Sequence, residues 1–176
     1  MTLSVGDRVY YPGRGPCFVN AVVEKVVCGT SAKFYRLALL DDSGAELFVP
    51  ISNSSDLKLR SLLDRSEIPK LLHHLRARVG VPKNLGTAKN WRQRESEKLK
   101  LFSSGSIFDL ADVVESLTQL SSVKTLAMDE RETLHRARKL LICEISEVMR
   151  ESKSAAEERV DSMLGSGKNK LSATAN

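Results

Sequence analysis

VGDRVYYPGRGPCFVNAVVEKVV (residues 5–27) decides how the first third of the chain is read. Its branched and aromatic residues make VGDRVYY (5–11) a strand, which Pro12-Gly13-Arg14-Gly15-Pro16 then breaks. FVNAVVEKVV (18–27) is a second, longer run, closed by a turn at Gly29-Thr30-Ser31. Working outward, KFYRLALL (33–40) is a third strand, and Asp41-Asp42-Ser43-Gly44 supplies a turn in which glycine is free to take positive φ. AELFVP (45–50) is a fourth strand stopped by Pro50, and DLKLR (56–60) is a short fifth. Short strands joined by tight turns, with no helix between them, imply a small antiparallel sheet curled into a barrel.

Beyond residue 60 the hydrophobic period changes. Ile68, Leu71, Leu72, Leu75 and Val79 follow helical spacing, with Ser66 as the expected N-cap and Pro69 in the first turn, where a missing N–H is tolerated. VGVPKNLGTAK (79–89) reads as a loop. Asn90 then caps a helix, with Gln93 completing a capping box, that runs to about Phe102 and ends near Ser104-Gly105. Ser106 caps an amphipathic segment carrying Ile107, Leu110, Val113, Val114 and Leu117. A long helix over 128–150 has Leu134, Ala137, Leu141, Ile145 and Val148 along one seam. Residues 151–164 are expected to add a frayed turn or two through Val160 and Leu164, and residues 165–176 a disordered tail. The fold class is α+β: a β domain over 1–60, then a bundle of four to five helices over 61–164.

Composition limits the function. At 176 residues, 41% hydrophobic and 28% charged, the chain can build a real core and carries no membrane-spanning run. MTLSVGDRVYY lacks a secretory layout, so a cytoplasmic location is expected. Cys17, Cys28 and Cys143 make neither a CxxC nor a disulfide framework and are expected to be buried in a reducing compartment. His73 and His74, adjacent in sequence, point about 100° apart on a helix and cannot chelate a metal together. No metal site and no cofactor are expected. PGRGP lacks the ending of a phosphate-binding loop, and Asp41-Asp42 is explained by its turn, so no enzyme is expected.

Charge is unevenly spread. Residues 1–60 hold seven basic against six acidic side chains, residues 61–100 ten against four, residues 101–150 six against eight, and residues 151–176 four against four. The excess lies in the forty residues around KNWRQR (89–94), which hold the chain's one tryptophan, Trp91. A basic field of this kind suits a polyanion, and a solvated helix face explains it equally well. Helical angles place Trp91 on roughly the same side as Leu99 and Phe102, but two charged turns separate them. Core anchor and exposed ring both remain open on periodicity alone.

Taken in order, VGDRVYYPGRG, FYRLAL, VPISN (49–53), LKLR (57–60), NWRQR, Ser104-Gly105, ADVVESL (111–117) and ERETLHRARKLL (130–141) resemble the CarD/CdnL family of bacterial transcription regulators, over nearly the whole chain to about residue 150. The resemblance implies a Tudor-like β domain that docks on the β subunit of RNA polymerase, and a helical domain at the upstream edge of the transcription bubble. It assigns the polymerase contact to Lys25, Val26, Val27, Leu47 and Phe48. It assigns the DNA contact to Trp91, as a wedge in the minor groove of promoter DNA, flanked by Lys89, Arg92, Arg94 and Lys98. Such a wedge recognises splayed base pairs, not sequence.

Three positions depart from the family pattern. Phe48 stands where an arginine is common, Ala127 replaces the serine before the long helix, and Ser96 replaces a cation for which Lys98 substitutes. Strand alternation alone leaves Phe48 open between interface and core. The expected partners are polymerase and promoter DNA, bound by a monomer, with no membrane. The alternatives kept are a small-barrel RNA-binding protein and a protein-only polymerase-binding module without a wedge.

Overall fold

The computed structural model describes residues 3–53, 57–76 and 91–165, and the chain divides into two compact units, Met1–Leu62 and Leu63–Asn176. The first unit is an antiparallel sheet of β1 (Arg8–Tyr11), β2 (Gly15–Val27), β3 (Thr30–Leu39), β4 (Glu46–Pro50) and β5 (Arg60–Ser61). The second carries α1 (Ile68–Leu75), α2 (Trp91–Ser104), α3 (Ile107–Val123), α4 (Met128–Met149) and α5 (Lys153–Gly165). A sheet followed by helices is the α+β class expected of the sequence. No described helix is long and apolar enough to cross a membrane.

The hydrogen-bonded strand order is β4-β3-β2-β1-β5, so β4 and β5 are the edges. Turn chemistry sets the register. Gly13 and Gly15 take positive φ, Arg14 N–H reaches the carbonyl of Tyr11, and Tyr11 pairs with Gly15. β2 and β3 close through a two-residue turn at Cys28-Gly29, both with positive φ, the geometry whose twist matches the strands it joins. In the Asp41–Gly44 turn, the Asp41 carboxylate accepts from the backbone N–H (3.1 Å) and the hydroxyl of Ser43. The pairing slips by one residue between Val19 and Ala21, a bulge at Asn20 that bends the long strand.

The core of this unit is Val9, Cys17, Val19, Tyr35, Leu37 and Val49 with Leu3, whose backbone N–H donates to the Tyr35 hydroxyl at 3.2 Å. Beyond the bulge, β2 runs past this core, which is why Val22, Val26 and Val27 are exposed. The fifth strand is Arg60–Ser61, not 56–60: Lys58 has a φ of 50°, which no strand accommodates. Cys28 is exposed at the hairpin tip, while Cys17 and Cys143 are buried.

In the helical unit, Ile68, Leu71 and Leu75 of α1 meet Leu110, Val113, Val114 and Leu117 of α3, Ala137, Leu141 and Ile145 of α4, and Ala156 and Val160 of α5. His74 Nε2 lies 2.6 Å from Asp112 Oδ1, with its ring edge-on to Phe108, and so ties α1 to α3. Ser106 caps α3 as expected, its hydroxyl accepting from Asp109 N–H at 3.3 Å. Ser66 is no cap: it lies inside a 3-10 turn, Arg65–Glu67, that leads into α1. Val79, the 79–89 loop, Asn90 and the tail from residue 166 lie outside the described residues.

The segment expected to fray is a full helix, α5, because Ala156, Val160 and Leu164 fall on one buried stripe. Arg138 of α4 reinforces it, with Nη2 2.7 Å from Asp161 and 3.4 Å from Glu157. Before α4, Ala127 has no side-chain acceptor, but Glu130 reaches back to accept its N–H at 3.1 Å, half of a capping box. Ala127→Ser supplies the missing half. Urea unfolding is expected to show a gain of about 0.5–1 kcal/mol.

Candidate functional site

In a sheet, residues paired across strands share a face. Tyr35 pairs with Val49 and Leu37 with Leu47, which sets the inward side. Arg36 pairs with Phe48, Phe34 with Pro50 and Val23, Lys25 with Ala32 and Val27 with Thr30, which sets the outward side. The five residues of the expected polymerase contact are therefore divided. Lys25, Val27 and Phe48 share the outer face. Val26 points the other way, and Leu47 is half-buried against the core of the unit.

The open question about Phe48 has a geometric answer, because it is 42% exposed while its neighbour Val49 is buried. The Lys25 ammonium sits 3.2 Å from the centre of the Phe48 ring. A cation over an aromatic face is held there by the ring quadrupole. The pair thus presents one apolar and charged knob beside the half-buried Val23, Phe34 and Pro50. Arg36 adds a second cation, its Nε 3.7 Å from Glu46, which is too long for a hydrogen bond. Because β4 pairs with β3 alone among the described residues, this outer face ends on a strand edge.

In the helical unit, α2 begins at Trp91, the position the sequence expects after its cap. Lys89 lies outside the described residues. Trp91, Arg92, Arg94 and Lys98 are described as helix backbone alone. On that backbone, positions 91, 95 and 99 follow i, i+4 spacing and form one ridge. Leu99, expected near the apolar side, is 61% exposed, while Leu101 and Phe102 are half-buried and pack against the helical core. The last turn of α2 is thus seated on the helical core.

The sequence reading passed over further cations near this helix. Lys100 is exposed on α2, and Arg131, Arg136 and Lys139 are exposed on α4. The Arg136 guanidinium lies 5.8 Å from the Phe102 ring, so the two helices meet there. The signal was present as Arg131, His135 and Lys139 at i, i+4 spacing opposite the Ala137–Leu141 seam. Counting charge by segment hid it, because Asp129, Glu130 and Glu132 offset those cations in the sum.

A family model for the CarD C-terminal domain matches residues 70–161, more than half of the chain. The chain belongs to the CarD family. The CarD match contains NWRQR, the ADVVESL segment and α5 as far as Asp161. A protein of Bacillus subtilis (strain 168) described as "Putative transcription factor YdeB" is 24% identical over 144 residues, which cover 80% of this chain and 88% of the relative. Membership in the CarD family and the description of that relative indicate a transcription factor of the CarD type.

Proposed function

We propose that the chain is a transcription regulator that docks on the β subunit of bacterial RNA polymerase and stabilises the promoter open complex. The β unit makes the docking contact. Trp91 wedges into the minor groove at the upstream edge of the bubble, and Arg92, Arg94, Lys89 and Lys98 hold the phosphates around it. The observation that carries this reading is the CarD match over residues 70–161, which includes the one tryptophan and its basic flanks.

Physical reasoning supports each part. An exposed aromatic under a lysine, on the edge strand of the described sheet, is the chemistry of an interface anchor. A ring that enters only where base pairs are splayed binds the open state better than the closed one, and only such a difference shifts the equilibrium. Three or four phosphate contacts imply a salt slope of about −3, too weak for tight independent binding to DNA. Attachment to polymerase supplies the effective concentration.

The test is capture of the isolated β subunit, followed by open-complex lifetime with and without the protein. Failure to bind the β subunit removes the reading, and stable RNA binding without polymerase replaces it with a small-barrel RNA-binding function. Phe48→Asp is expected to weaken capture about thirtyfold, the equivalent of ~2 kcal/mol for an interface anchor. Folding stability should move by less than about 0.5 kcal/mol, because the ring is exposed. A titration of the labelled β subunit and a thermal melt read the two effects separately.

A further inference from the structure

The helical unit holds a charged group at a place where a hydrocarbon would pack better. Glu144 lies in the last two turns of α4 and is fully buried between Cys143 and Ile145, themselves buried. Taking a carboxylate out of water is strongly unfavourable, and apolar residues of similar volume often fill such positions with a gain in stability. The compensation here is specific. Glu144 Oε1 accepts the backbone N–H of Leu63 at 3.0 Å, a bond to a residue 81 positions earlier. A charge-assisted bond to a backbone N–H is among the stronger hydrogen bonds available to a protein.

Leu63 is a particular residue. It is the first of the helical unit, and its side chain packs against that unit's core. Ser61, two positions earlier, is the last paired residue of the sheet, opposite Val9. Between the strand that ends one unit and the N–H clamped into the other, the chain has only Leu62.

We propose that Glu144 is a positioning residue that clamps the entry of the chain into the helical unit and so limits the tether from the β unit to a single residue. The inference rests on the function proposed above and extends it to the delivery of the helical unit. A β unit docked on polymerase raises the local concentration of the helical unit at the DNA, and that concentration falls steeply as the tether lengthens. With the clamp released, the free chain extends toward the start of α1 at Ile68, and the wedge is presented more dilutely.

Three variants of the full chain test this. Glu144→Gln keeps the shape and a carbonyl acceptor, and Glu144→Met keeps the length with no acceptor. The third inserts about ten Gly/Ser residues between Ser61 and Leu62, leaving Glu144 and Leu63 untouched. Hydrogen exchange at the Leu63 amide reads the clamp, and open-complex lifetime at saturating protein reads the delivery. Glu144→Gln should keep both the protected amide and the lifetime gain. Glu144→Met should lose the protection and most of the gain. The insertion should keep the protected amide, the melting temperature and capture by the β subunit, yet lower the gain about tenfold.

An insertion variant with the full gain, or a Glu144→Met variant whose Leu63 amide stays protected, overturns the proposal. Should Glu144→Met fail to fold, the insertion decides. A parent chain that gives no lifetime gain overturns the proposed function and this inference with it. A parental gain that survives the insertion overturns this inference alone.

Discussion

Trp91→Ala is expected to shorten the lifetime of the promoter open complex about 5- to 150-fold. That range is what ~1–3 kcal/mol of base–aromatic stacking confers on the state able to accept the ring. The melting temperature should move little, since α2 is seated by Leu101 and Phe102 in its last turn. Phe102 is eleven residues beyond Trp91, about 16 Å along a helix. A tryptophan buried in a core would instead cost ~3–5 kcal/mol of stability when cut to alanine. Lifetime after addition of a competitor, measured beside a thermal melt, separates the two. An early-melting variant with an unchanged lifetime assigns Trp91 to the core and ends the wedge reading.

The second large effect is on stability. Leu141→Ala is expected to remove about 2–5 kcal/mol from the helical unit, read as a lower urea midpoint with an unchanged slope. Leu141 is fully buried in the cluster to which α1, α3, α4 and α5 all contribute, so the neighbouring helices are too constrained to close the space left behind. Leu99→Ala, by contrast, should shift the midpoint by less than about 0.5 kcal/mol, because that leucine is exposed. The pair separates the buried seam of the bundle from its solvent face.

Much of this fold was legible in the chain. Strand-forming runs punctuated by Gly and Pro mark four of the five strands, because turn geometry is a local matter that a few residues settle. The Ser106 cap and the seam along α4 are legible for the same reason, each being set within a turn or two of the helix. What was misread depends on distant partners. α5 looks frayed from its composition and is a full helix, because Val160 and Leu164 find a core built by other helices. Leu99 looks like part of the α2 seam and is exposed, while Leu101 and Phe102 pack against the helical core.

The candidate surfaces divide in the same way. The lone tryptophan, its basic flanks and the CarD motifs stand in the sequence, since residue order is all that motif reading needs. That Phe48 faces outward under Lys25, that Val26 and Leu47 leave that face, and that Arg136 of α4 approaches Phe102 were decided by cross-strand register and helix packing. So was the meeting of Glu144 with Leu63, because a hydrogen bond across 81 positions leaves no local trace. The sequence by itself determined the order of the elements, the α+β class and the family, all of which follow from short-range patterning. Tertiary structure alone decided which side chains stay in water and which charged groups are buried, because burial depends on what the rest of the chain brings alongside.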